Sequence, residues 1–261
     1  MENLKTFANN KKFNPVDSLC IVTGGSSGIG HALIKELLSR KAKKVINIDI
    51  KNNYLTNTDF YKCDVGDNQS IKEVFSEIHK KYVDIDLICC NAGIARDDDG
   101  LASEEHWANI WKTNVLQHPN IVRNSISNMV LKKNGWYLIT ASAAGLLSQV
   151  GSATYSTTKH ATVGFAEWLC ITYGDCGIGV SLLCPQGVNT PMTENIINGG
   201  VAGINGMLEA SEVAKITLNE MCKGKFLITP HEIVKKYIKI KADDTEKWII
   251  GMRKLYKKFV N

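Results

Sequence analysis

The sequence predicts an α/β fold: one doubly wound parallel sheet with helices on both faces, in a single domain. Short apolar runs that end in glycine or small residues alternate with segments of helical period, the pattern of buried parallel strands joined by crossover helices. A glycine-rich turn, "TGGSSGIG" (Thr23 to Gly30), sits between the first apolar run and the first helical segment. No linker or internal repeat divides the 261 residues, a length that one large domain accommodates.

The elements follow in order. "SLCIVTG" is a buried strand and "HALIKELLSRKAK" the helix after it. "KVINIDI" is a second strand, and "SIKEVFSEIHKKY" a second helix with Ser70 or Asn68 as its N-cap. "IDLICCNAG" is another strand ending in glycine. A long helical stretch runs from about Glu104 to Leu131, where Pro119 lacks an N–H and crowds the preceding turn, so the helix is disturbed there and backbone carbonyls are freed for water. "GWYLITASAAG" is a strand breaking into small residues, "ATYSTTKHATVGFAEWLCITYG" a helix and "IGVSLLCPQGV" a last clear strand. Residues 189–210, rich in Gly and Asn, form a substrate loop or lid beyond that strand, where open sheets bind ligands. Residues 231–261 form a helical segment in which Trp248, Ile249, Met252, Leu255, Tyr256 and Phe259 make one apolar stripe opposite lysines, expected to pack on the chain itself or on a sister copy.

Hydrophobic residues make up 44% of the chain, which permits a sizeable core. No apolar run approaches the roughly 20 residues of a membrane span, and "MENLKTFANNKKFNP" lacks the apolar segment of a secretory signal, so a cytoplasmic protein is expected. The eight cysteines show neither C-x-x-C pairs nor zinc spacing, so they are expected to be reduced thiols with no metal site. The net charge of +5 is uneven: from Lys223 onward there are eleven Lys and Arg against four Asp and Glu. A basic tail can bind nucleic acid or anionic lipid, but without aromatic interleaving it reads as a solvated helix face. Neither a nucleic-acid nor a membrane partner is expected.

Three groups of residues carry chemistry. Gly24, Gly28 and Gly30 let a pyrophosphate approach the backbone at a helix N-terminus. Asp49 ends the second strand nineteen residues after Gly30, where a carboxylate can accept bonds from the ribose hydroxyls of a dinucleotide. It would repel a 2′-phosphate, and Lys51 is the only nearby cation, so NAD is expected over NADP. Tyr155 and Lys159 in "YSTTK" lie one helical turn apart. A free tyrosine is ionised in about one molecule per thousand at neutral pH, and a cation within about 4–6 Å is expected to lower its pKa by roughly 1–3, giving a usable acid and base. Ser142, thirteen residues before Tyr155, stands at the frayed end of its strand, within reach of the tyrosine.

With "CDV" at Cys63 to Val65, "NAG" at Asn91 to Gly93 and Asn114, this ordered set resembles the short-chain dehydrogenase/reductase family, of the kind built as a single Rossmann-type domain, over about Leu19 to Thr190. The resemblance implies hydride transfer between an alcohol and a ketone or aldehyde. Ser26, Ser27 and Ile29 would join the glycines of the phosphate turn, Asp64 and Val65 would flank the adenine, and Asn91, Ala92 and Gly93 would line the cofactor. Pro185, Gly187, Val188 and Thr190 would touch the nicotinamide end. Tyr155 would exchange the proton, Lys159 hold the ribose and support the phenolate, Ser142 orient the substrate oxygen, and Asn114 anchor a water linking Lys159 to solvent. Family helices pair across two-fold axes, so a homodimer or homotetramer is implied. The family pattern Pro-Gly-x-Val-x-Thr reads here Pro185-Gln186-Gly187-Val188-Asn189-Thr190, with Gln186 in place of a glycine. Trp107, Trp111 and Met192 suggest a partly apolar substrate pocket. A catalytically weak nucleotide sensor or scaffold of the same fold is the alternative.

Overall fold

The computed structural model describes residues 11–95, 98 and 101–259; most of the N-terminal stretch examined for a signal, and the last two residues of the C-terminal segment, lie outside them. Seven parallel strands form the sheet, in the order β3-β2-β1-β4-β5-β6-β9. They are β1 (Leu19–Thr23), β2 (Lys44–Asp49), β3 (Thr58–Lys62), β4 (Leu87–Cys90), β5 (Gly135–Thr140), β6 (Ile178–Leu183) and β9 (Leu227–Ile228). A separate two-residue ribbon pairs β7 (Val188–Asn189) with β8 (Leu208–Glu209).

The strands are continuously apolar because both faces are covered. Leu19 and Ile21 of β1 point into one core and Cys20 and Val22 into the other; Tyr137 and Ile139 of β5 likewise oppose Trp136 and Leu138. The first core is covered by α2 (Asn68–Lys81), α4 (Gln117–Leu131) and α6 (Ala153–Tyr173), the second by α1 (Gly28–Ser39) and α7 (Ala210–Met221). The chain reverses winding direction between β1 and β4, so the crevice beyond their carboxyl ends is where an open sheet of this kind receives a ligand.

Several elements differ from expectation. The N-cap of α2 is Asp67, not Ser70 or Asn68: its carboxylate accepts from the Gln69 and Ser70 N–H groups. The long helix is interrupted one turn before Pro119. It runs as α3 (Glu104–Trp111), a π-helical turn (Lys112–Leu116) and α4, with the Gln117 N–H donating to the Lys112 carbonyl. Pro119 then sits in the first turn of α4, where a missing N–H is tolerated. The substrate loop is not free along its length, since its return limb pairs with Val188–Asn189. The C-terminal segment holds α8 (Ile233–Asp243) and α9 (Thr245–Phe259), broken at Asp244, whose carboxylate accepts from the Lys247 N–H. The stripe of α9 packs on its own chain through Trp248 against Tyr237, yet no residue of α9 is fully buried. All eight cysteines are free thiols, and among the described residues no helix is long and apolar enough to cross a membrane.

Candidate active site

The site begins where β1 ends. Gly24 has φ +64°, and a Cβ there would lie 2.8 Å from the Ala92 Cα at the end of β4. Gly28, at φ +51°, lies under Thr190, whose Cγ2 would be 3.2 Å from an added Cβ. Both positions favour glycine because φ is positive, and at Gly24 the Ala92 backbone also leaves no room for a side chain. Ser27 enters α1 without a side-chain capping bond, so the helix N-terminus presents N–H donors and its positive end. Asp49 is held at the tip of β2 by the Ser26 N–H (3.0 Å) and the Lys51 N–H (3.2 Å). The cradle, the uncapped helix end and the carboxylate together fit the phosphates and a ribose of a dinucleotide.

A cavity of about 540 Å³ extends from this cradle. Gly24, Ser27, Gly28, Ile29, Asp49, Asp64, Val65, Asn91, Ala92 and Gly93 line it together with Ser142, Tyr155, Lys159, Pro185, Val188 and Thr190. Four expected residues stand behind the wall. The Ser26 N–H and hydroxyl fasten Asp49 and the Lys51 carbonyl. Gly30 packs under the Gly24 carbonyl, Gly187 backs onto Met207 and Ala202, and Asn114 is fully buried. Met192 lines the cavity; Trp107 and Trp111 do not, and Trp111 is exposed.

Asn114 clamps the chain that follows β4. Its Oδ1 accepts from the Ile94 N–H and its Nδ2 donates to the Ile94 carbonyl, both at 2.9 Å. An added Cβ at Gly93 would lie 3.4 Å from this Oδ1 and 3.5 Å from Lys159 Nζ, so both groups border the same small space. The Asn114 carbonyl, five residues before Pro119, accepts from the Thr162 hydroxyl at 3.0 Å. Behind it lies His118, buried and stacked on Phe165, its pKa lowered to about 3 by burial and by Lys159, with the Asn114 backbone opposing this.

The Tyr155–Lys159 pair corrects one expectation. Lys159 Nζ lies 5.5 Å from the centre of the Tyr155 ring but donates to the Thr140 carbonyl at 3.2 Å. Burial raises the Tyr155 pKa above its ordinary value, with the Ser142 hydroxyl opposing this and the nearby Cys184 adding to it. Burial also lowers Lys159 to about 8. The ammonium is spent on a backbone carbonyl, and removal from water outweighs its pull on the phenol.

The first turn of α6, which carries Tyr155, is fixed by Asp98, a residue not singled out from sequence. The Ala153 N–H donates to Asp98 Oδ1 at 2.9 Å and the Thr154 hydroxyl to Oδ2 at 2.6 Å. In sequence Asp98 is one of three consecutive aspartates, which reads as a solvated run; its buried place depends on the fold. Thr140, Gln149, Ser152 and Gln186 also line the cavity.

A family profile described as short chain dehydrogenase matches residues 18–199. The chain belongs to the short-chain dehydrogenase family. The 3-oxoacyl-[acyl-carrier-protein] reductase FabG of Escherichia coli is 27% identical over 203 residues, covering 75% of this chain and 83% of the relative. That of Haemophilus influenzae is 30% identical over 212 residues, covering 76% and 87%. A Burkholderia phymatum short-chain dehydrogenase/reductase solved with NAD superposes with a TM-score of 0.80 at 23% identity, covering 90% of this chain and 96% of the other. A Burkholderia cenocepacia short-chain dehydrogenase solved with NADP gives 0.79 at 19%, covering 90% and 97%. As a short-chain dehydrogenase, the chain is built for NAD(P)-dependent oxidoreduction.

Proposed function

We propose that this short-chain dehydrogenase interconverts a small-molecule alcohol and its ketone or aldehyde, with NAD preferred over NADP. The convergence of Ser142 and Lys159 on Tyr155, in the same cavity as the Gly24–Gly28 cradle and Asp49, carries this reading. When bound, the nicotinamide supplies or accepts the hydride. Ser142 donates to the substrate oxygen and orients it. Tyr155, a phenol protonated at neutral pH whose pKa burial raises further, donates its proton to that oxygen in the reductive direction and receives it in the oxidative one. Lys159 holds the ribose and steadies the phenolate formed after transfer. Asn114 keeps the Gly93–Ile94 backbone against this group and supports a water beside Lys159. The carboxylate of Asp49 favours a ribose with a free 2′-hydroxyl.

The exposed Leu131 of α4 and the exposed Trp168 and Ile171 of α6 support self-association across a two-fold axis. Assaying alcohols and carbonyl compounds with both cofactors, read at the reduced-nicotinamide absorbance, tests the proposal. A catalytically weak sensor of the same fold would bind cofactor and turn over none of them, which would overturn it.

A further inference from the structure

Gln186 stands where the family pattern has glycine, and the glycine stands one residue later. The structure gives both a reason. The return limb of the substrate loop lies on Gly187: an added Cβ there would be 2.6 Å from Met207 Sδ and 2.8 Å from the Ala202 carbonyl oxygen. The same sulfur sits over Gly199 and Gly203, and the Leu208 N–H donates to the Gly187 carbonyl at 3.0 Å, so residues 202–209 are seated on the segment after β6. Beside this seat Gln186 is gripped at both ends. Its N–H donates to Nδ1 of the buried His231 at 3.2 Å, and its side-chain carbonyl accepts from Asn205 at 3.3 Å. Asn205 in turn accepts from the Tyr237 hydroxyl of α8 at 3.2 Å. Gln186, Gly199 and Ala202 all line the catalytic cavity, so this chain of bonds reaches its roof.

We propose that Gln186 is a positioning residue whose side-chain carbonyl, through Asn205 and Tyr237, clasps the return limb of the substrate loop to α8 and so holds the roof of the cavity over the reacting groups. The proposal rests on the oxidoreductase reading only for what the roof covers; the clasp is a property of the chain without cofactor. A glycine at 186 would keep the bond to His231 and lose the one to Asn205, so the side chain alone makes the difference.

Hydrogen exchange of the full-length, cofactor-free protein tests this. Gln186→Leu and Tyr237→Phe should each raise exchange across residues 202–209 by about 2- to 10-fold, the effect of losing one ordinary hydrogen bond, while α6 and the sheet are unchanged. Gln186→Glu, which keeps an acceptor oxygen, should exchange like the wild type. With a substrate from the cofactor screen, Gln186→Leu should raise KM more than it lowers kcat and leave NAD affinity alone. Unchanged exchange in Gln186→Leu and Tyr237→Phe, or a Gln186→Glu protein as loose as Gln186→Leu, would overturn the clasp. Absence of turnover in the wild type would instead overturn the oxidoreductase reading and leave the exchange result standing.

Discussion

Replacing Lys159 by methionine should remove activity and stabilise the cofactor-free protein. The ammonium is almost fully buried, at 4% exposure, and burial lowers its pKa from 10.5 to about 8. A difference of about 2.5 corresponds to roughly 3 kcal/mol charged against the folded state at neutral pH. Methionine keeps most of the apolar stem and leaves the Thr140 carbonyl without its donor, a loss of about 1 kcal/mol. The net gain is about 2 kcal/mol, or roughly 4–8 °C in Tm for a chain of this size. The sign depends on pH in a defined way. Below about pH 8 the folded and unfolded chains both carry the proton, and the folded chain bears the whole cost. Between about 8 and 10.5 the folded chain releases it first, so wild-type stability gains on the variant as pH rises. Buried thiols such as Cys20, pushed up to about 12, titrate in both proteins and cancel in the comparison. Thermal melts of the two proteins without cofactor, at pH 7 and near pH 10, supply the test. A variant less stable than wild type at pH 7, or a gap that does not narrow at high pH, would refute the assignment of a desolvated, strained ammonium.

Tyr155→Phe should fold and bind NAD while losing about 10²–10⁴-fold in turnover, the usual worth of a positioned proton donor; near-normal rates would exclude Tyr155 as the acid. Asp49→Ser should weaken NAD by about 10- to 100-fold through loss of a charged hydrogen-bond acceptor and weaken NADP less, as read by fluorescence titration of both cofactors; a wild type that already prefers NADP would refute the ribose assignment. Ile171, 82% exposed on α6, should tolerate change to glutamate in the fold but not in the assembly. Light scattering should then show a dimer or tetramer becoming a monomer, and a monomeric wild type at micromolar concentration would contradict the proposed two-fold contact.

The strands legible in the sequence are those buried on both faces, β1, β2, β4, β5 and β6, because each is a short and mainly apolar run. β3 and β9 were not. β3 is an edge strand in which polar Thr58, Asp59 and Lys62 flank Phe60 and Tyr61 and no residue is fully buried, and β9 has two residues; the ladder beside each supplies what its own pattern lacks. The phosphate turn was legible because its glycines are set by local backbone geometry. The acid-base environment of Tyr155 and Lys159 was not, although the pairing was. Helical spacing places the two side chains on one face, but it says nothing about where the ammonium finds its acceptor. That acceptor, the Thr140 carbonyl, comes from the end of another strand.

The same distinction separates the residues that local pattern reveals from those that tertiary structure recruits. Asp98 reads as one of three solvated aspartates, yet it receives N–H and O–H donors from the first turn of α6, the turn that carries Tyr155. Gln186 reads from sequence only as a departure from the family pattern, either facing the substrate or merely tolerated in a loop, yet its two ends meet His231 and Asn205 from segments 45 and 19 residues away. In both cases the polar groups satisfied belong to different elements, so no window of sequence contains the reason for the residue. The chemistry at Tyr155 therefore depends on two kinds of support. A local one, the helix turn shared with Lys159, can be read from spacing. A distant one, in which loops after β4 and β6 are fastened by Asp98, Asn114 and Gln186, exists only once the sheet has brought their ends together.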